Sequence, residues 1–160
     1  MIGPSADGGH RPRAVVTGVT DGNIGAGIAE ALAATGHDTV VVDRRPGTSV
    51  RCQAGLRALG ATVTDVVADL TSADGIETLM DVLGGQSIDV LVNGIGCMKS
   101  PGTRVWELDD KAWNFTLDLT LRSVFLCSRA VLRKMTAQRS GSIVNIASID
   151  AGGSALHAHY

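Results

Sequence analysis

TGVTDGNIG, residues Thr17–Gly25, follows directly on the β-branched run RAVVT (Arg13–Thr17) and opens into an apolar stretch of helical period beginning at Ile24. A turn stripped of side chains lets backbone amides approach a pyrophosphate. The helix that starts there offers the same anion its free N–H groups and the positive end of its dipole. Gly18, Gly22 and Gly25 supply such a turn, and Asn23 tolerates left-handed backbone better than most residues. Asp21 has to face outward, because a carboxylate turned toward phosphates would repel them. A glycine triplet alone marks a plain strand-to-helix turn equally well, so the surrounding pattern decides between the two.

Outward from this turn, short β-branched runs alternate with longer segments of helical period, the pattern of repeated βα units around a parallel sheet. Strands are expected at Arg13–Thr17, Thr39–Asp43, Thr62–Ala68, Ile88–Asn93 and Gly141–Ala147. The second, fourth and fifth are continuously apolar, which predicts burial on both faces. Helices are expected near Ile24–Thr35, Ser49–Leu59, Ser72–Leu83 and Asp109–Gln138. In the first, Ile24, Ile28 and Leu32 form one stripe toward the sheet, and Gly36 stands where a C-cap belongs. The long fourth helix places Trp113, Leu117, Leu121, Val124, Ser128, Val131 and Met135 on one side, a core face or a subunit contact. The fold expected is α/β: a Rossmann-like doubly wound parallel sheet, five strands in the order 3-2-1-4-5 with helices on both faces.

Composition agrees. The 160 residues are 44% hydrophobic and 19% charged, with 14 basic against 16 acidic side chains, a balance that does not suggest a disordered tail and argues against a nucleic-acid surface. Residues 1–12 read as a flexible leader with neither signal peptide nor anchor, and residues 13–160 as one dinucleotide-binding domain with the start of a catalytic region. No run approaches the roughly 20 apolar residues that span a bilayer. Three cysteines without CxxC spacing fit reduced thiols, hence a cytoplasmic setting. His157 and His159 lack a third ligand, so no metal is expected.

The second strand ends in Asp43, where a carboxylate can accept both hydroxyls of an adenosine ribose. Such an acid favours NAD and repels the extra phosphate of NADP. Arg44 and Arg45 follow at once and could attract that phosphate, so NADP stays possible; they serve equally well as a solvated loop.

Several further segments resemble the short-chain dehydrogenase/reductase family, and the resemblance runs from about Ala14 to Tyr160. VADL, closing on Ala68–Leu70, is similar to the family's acidic turn after the third strand, which implies adenine contacts from Asp69 and the backbone of Leu70. LVNGIG (Leu91–Gly96) resembles the Asn-Asn-Ala-Gly segment, with Asn93 and Gly96 retained and Gly94 and Ile95 replacing the middle pair. GSIVNIAS (Gly141–Ser148) resembles the strand that delivers the catalytic serine, Ser148, and Tyr160 stands at about the distance of the catalytic tyrosine. Two departures stand out. One extra residue separates Gly22 from Gly25, and in LDLTLRSVF (Leu117–Phe125) Thr120 occupies the place of the usual asparagine.

The resemblance implies hydride transfer between a nicotinamide cofactor and a carbonyl or secondary alcohol, with Tyr160 exchanging a proton and Ser148 hydrogen-bonding the same oxygen. Thr120, with one donor in place of an amide's two, weakens any water-mediated relay. Tyrosine has an ordinary pKa of about 10 and is a poor base at neutral pH. The family favours its phenolate with a lysine four positions on, and the sequence ends at Tyr160. The expectation is therefore the front portion of a longer enzyme, inactive by itself, with the C-terminal strands missing and the fifth strand a bare apolar edge. Cys97 and Met98 are candidate substrate-pocket residues. The expected partners are a small-molecule substrate and a second copy of the chain, as dimer or tetramer. Alternatives are a non-catalytic NAD(H)-binding module and, less favoured, a sugar-nucleotide epimerase.

Overall fold

The computed structural model describes residues 11–97, 99 and 103–148. Within them the chain runs β1 (Arg13–Thr17), α1 (Ile24–Ala34), β2 (Asp38–Asp43), α2 (Val50–Ala58), β3 (Val63–Val67), α3 (Ala73–Leu83), β4 (Val90–Asn93), a 3-10 turn (Val105–Glu107), α4 (Asp110–Leu117), a π-helical turn (Asp118–Arg122), α5 (Ser123–Gln138) and β5 (Ser142–Asn145). All four strand pairings are parallel, and the sheet order is β3-β2-β1-β4-β5. The expected order holds, as does the Rossmann-like α/β class.

Alternation along the strands builds two cores. In β1 and β2, Val15, Val40 and Val42 join Leu79 and Leu83 of α3 and Val131 of α5 on one side of the sheet. Val16 and Val41 point the other way, onto Ala26, Ala29 and Ala33 of α1 and Leu56 of α2. Helices thus cover both faces.

Three expectations are corrected here. Ile24 does not face the sheet: it is 71% exposed, Ile28 and Leu32 are only partly buried, and the buried stripe is Gly25, Ala26, Ala29 and Ala33. Small residues let the helix axis approach the strands, so the side with the bulkiest apolar residues is not the side that packs. Strand β5 is not buried on both faces either. Among the described residues it is an edge strand of the sheet, and Val144 within it (44%) and Ile146 just past it (40%) are exposed. The expected long helix is interrupted. Thr116, Thr120 and Ser123 each donate a side-chain hydrogen bond to a carbonyl four residues back, on Ala112, Thr116 and Leu119. Such back-bonding competes with the helix ladder and bends it, and a π turn falls within this run. The phase shift turns Ala112, Thr116, Leu119, Ser123, Leu126, Cys127, Val131 and Met135 inward, while Trp113, Leu121, Phe125 and Leu132 remain exposed. Gly36 does cap α1 as expected, with φ +94° just past Thr35.

Candidate functional site at the carboxyl rim of the sheet

The turn after β1 is held by its own side chains. Asn23 is the N-cap of α1: its Oδ1 accepts from the amides of Ala26 (2.9 Å) and Thr20 (3.2 Å), and its Nδ2 donates to the carbonyl of Gly18 (2.8 Å). Asn23 is extended, not left-handed; Gly18 (φ +74°) and Gly22 (φ +81°) take the left-handed positions. The N–H groups of Ile24 and Gly25, first in α1, have no carbonyl one turn earlier to reach. They are the free donors expected for an anion.

The acid of this turn has a structural use. Asp21 faces away from α1, and its carboxylate accepts the backbone N–H of Cys52 (2.8 Å) and of Arg51 (3.1 Å), capping α2, whose own N-cap Ser49 makes no such bond. Those donors, the Cys52 amide first, hold the Asp21 carboxyl below the usual carboxylate range. The Asp21 amide in turn donates to the carbonyl of Thr48 (2.7 Å), which ties the glycine turn to the loop after β2.

Three glycines pack main chain on main chain behind the turn. A Cβ on Gly18 would sit 2.8 Å from the Gly94 carbonyl oxygen, one on Gly25 2.8 Å from the Gly18 oxygen, and one on Gly94 2.7 Å from the Thr17 oxygen. Gly94, which replaces an asparagine of the family pattern, is thereby accounted for: its site has no room for a side chain. Its amide donates to the hydroxyl of Thr17 (3.1 Å), itself buried between β1 and β4.

In front of this layer opens a cavity of about 410 Å³, walled by Gly18, Thr20 and Asn23 after β1, Asp43, Arg44 and Arg45 after β2, Ala68–Thr71 after β3, Gly94–Cys97 after β4, and Leu119 of the π turn. It lies at the carboxyl ends of the strands, where open α/β sheets bind ligands. The Asp43 carboxylate receives the amide of Arg45 (2.9 Å) and the hydroxyl of Thr20 (3.5 Å), so the acid expected at the ribose stands one hydrogen bond from the glycine turn. Asp69 accepts the hydroxyl (2.7 Å) and amide (3.0 Å) of Thr71, and these bonds, hydroxyl first, hold its carboxyl below the usual range.

Of the expected cofactor residues, the structure brings Gly18, Asn23, Asp43, Arg44, Asp69, Leu70, Gly94 and Gly96 to one cavity wall. Gly22, Ile24 and Gly25 belong to the turn beside it. Asn93 is buried behind the wall, its amide donating to Ser128 (3.1 Å) and Asn145 (2.8 Å). Thr120 lies outside the cavity, its hydroxyl given to the carbonyl of Thr116 (2.7 Å). Ser148 is half-buried just past β5. Tyr160, Met98, His157 and His159 lie outside the described residues, as do residues 1–10 of the expected leader. Sequence reading missed Thr20, Thr71, Leu119 and Gly75. Gly75 was detectable as a glycine inside the first turn of a helix. A Cβ there would stand 2.5 Å from the carbonyl carbon of Asp69 and closer still to its oxygen, so this glycine lets α3 pack directly beneath the Asp69 turn.

A family model described as short chain dehydrogenase matches residues 12–160. Cis-4-hydroxycyclohexanecarboxylate dehydrogenase of Sinomonas cyclohexanicum is 39% identical over 138 residues, covering 85% of this chain and 54% of that protein. Galactitol 2-dehydrogenase of Rhizobium johnstonii is 37% identical over 139 residues, covering 86% and 53%. The crystal structure of an NAD+-bound xylitol dehydrogenase superposes with a TM-score of 0.83 at 28% identity, over 91% of this chain and 56% of that one. The chain thus spans about half the length of the curated relatives it matches.

Proposed function

Because the chain belongs to the short-chain dehydrogenase family, we propose that it is the cofactor-binding part of an NAD(P)-dependent oxidoreductase acting on a carbonyl or secondary alcohol. One observation carries this reading. The side-chain-free turn at Gly18, the ribose-side acid Asp43 and the Asp69–Leu70 turn share a single cavity at the carboxyl rim. That cavity falls within the roughly 300–1,000 Å³ range of ligand pockets, and the glycine layer behind it leaves the backbone bare where a diphosphate would lie. The residues therefore fit a dinucleotide. Ile24 and Gly25 would hold the diphosphate by their amides, Asp43 the ribose hydroxyls, and Asp69 with the backbone of Leu70 the adenine.

When bound, the nicotinamide supplies or accepts hydride. The chain's own part is to orient the substrate and move a proton. Ser148 hydrogen-bonds the substrate oxygen and Tyr160 exchanges the proton with it. Asp43 places the preference with NAD over NADP, because a second negative charge beside a carboxylate is unfavourable.

One observation favours a second reading, a non-catalytic NAD(H)-binding module. The hydroxyl of Thr120, already donated to the Thr116 carbonyl, has no proton left to give a relay. Turnover separates the two: NAD-dependent oxidation of secondary alcohols by the full-length protein, lost in Ser148→Ala, supports the enzyme. Binding of NADH itself is tested by titrating NADH and NADPH, and failure to bind either removes both readings.

A homodimer or tetramer is proposed with it. Its support is the set of exposed apolar side chains Trp113 of α4, Leu121 of the π turn, and Phe125 and Leu132 of α5. Sedimentation that finds only monomers would overturn it. A cytoplasmic location is proposed on cysteines that lack CxxC spacing, two of which, Cys52 and Cys127, are buried in the core. Among the described residues no helix is long and apolar enough to cross a membrane.

A further inference from the structure

The ring of Phe115 on α4 carries two cations at once. The guanidinium carbon of Arg44 lies 5.9 Å from the ring centroid and Nζ of Lys99 lies 5.6 Å from it. Arg44 is the residue directly after Asp43 and lines the same cavity, and its guanidinium extends from the ribose corner to the ring of Phe115 on α4. Its charge is also felt by Asp69 on the way. Arg45 is engaged as well, by the Asp43 carboxylate at 3.6 Å. Both arginines next to the ribose corner therefore already have partners.

We propose that Phe115 is a specificity-determining residue: by holding Arg44 over its ring it keeps that guanidinium away from the 2′ position of the adenosine ribose, and so holds the site on the NAD side. This rests on the reading of Asp43 as the ribose contact. A 2′-phosphate gains a counter-charge only if Arg44 leaves the ring, and the cost of leaving falls on NADPH and not on NADH. At a solvent-exposed site that attraction corresponds to about a two- to fivefold change in an equilibrium constant. Lys99 acts in the opposite sense on Arg44, as a like charge competing for the same ring.

The test is the ratio of NADPH to NADH dissociation constants, with NADPH measured as a competitor of bound NADH. Phe115→Leu is expected to lower that ratio about two- to fivefold while leaving the NADH constant unchanged. Phe115→Tyr keeps the ring and should leave the ratio alone. Lys99→Ala should raise it. In an Arg44→Ala background, Phe115→Leu should have no effect on it. A residue that only supports the fold would weaken both nucleotides together. That outcome, or a ratio that Phe115→Leu and Lys99→Ala both leave unmoved, overturns the inference and leaves the cofactor site standing. A protein that binds neither nucleotide overturns the site and the inference with it.

Discussion

Replacing Gly75 by Ala tests how the Asp69 turn is positioned. The added carbon would start 2.5 Å from the carbonyl carbon of Asp69. Carbon atoms reach favourable separation near 3.5–4.0 Å, so α3 or the turn must yield by roughly 1 Å. Overpacking of this kind costs about 1–3 kcal/mol, and a backbone clash belongs at the upper end. Alanine returns about 1 kcal/mol through its better helix propensity. The net loss is then about 2 kcal/mol, which for a chain of this size lowers Tm by roughly 4–8 °C. Because the yielding element carries a cavity residue, nucleotide binding should weaken as well, by about tenfold if one hydrogen bond is lost. Thermal unfolding and NADH titration measure the two effects. Gly27→Ala is the matched control, since that helical glycine has nothing within 4 Å of where a Cβ would go and the substitution should stabilise. The reasoning is refuted if Gly75→Ala raises Tm as the control does, or if NADH affinity stays within twofold of the parent protein.

Asp43→Ala should weaken NADH by about ten- to a hundredfold, the range for a hydrogen bond to a charged group, and unchanged affinity would show the ribose contact to be misplaced. Asp21 has a folded-state pKa below its unfolded value of about 3.9, so its contribution to stability is present in full above that value and is lost as pH falls through the lower, folded one. The Tm difference between the parent and Asp21→Ala should accordingly be flat from neutral pH to about 5 and close on further acidification; a constant difference down to pH 2 would count against it. Burial raises the thiol pKa of Cys127 to about 12 and of Cys52 to about 11, whereas Cys97 is exposed. A thiol reagent at pH 8 should therefore label Cys97 in the native protein and reach the other two only after denaturation; rapid labelling of all three would contradict the packing described.

The strands were legible because a valine run such as that in β2 has no other economical fate than a two-faced interior, and the glycine turn was legible because its position after β1 limited what it could do. Apolarity alone is a poor measure of burial: Ile24 is exposed and Ala29 is wholly buried, since close helix–sheet contact selects for small size. The break between α4 and α5 is decided by where the hydroxyls of Thr116, Thr120 and Ser123 find acceptors, a competition that periodicity does not report. The Asn23 cap was misassigned because asparagine suits both a left-handed turn and an N-cap, and only the neighbouring amides distinguish them. Contacts such as Arg44 on Phe115 join residues far apart in sequence and carry no local signal.

Where Gly18, Gly25 and Gly94 meet, peptide planes touch directly. The alignment of the binding loops is thus inherited in large part from the ladder of the sheet itself. The Gly18 amide, donated to the Val42 carbonyl at 2.8 Å, and the Gly94 amide, donated to Thr17, should then exchange with deuterium only when the whole sheet opens. Nucleotide would meet a surface that needs no ordering on arrival, and little association entropy would be lost in setting the loops.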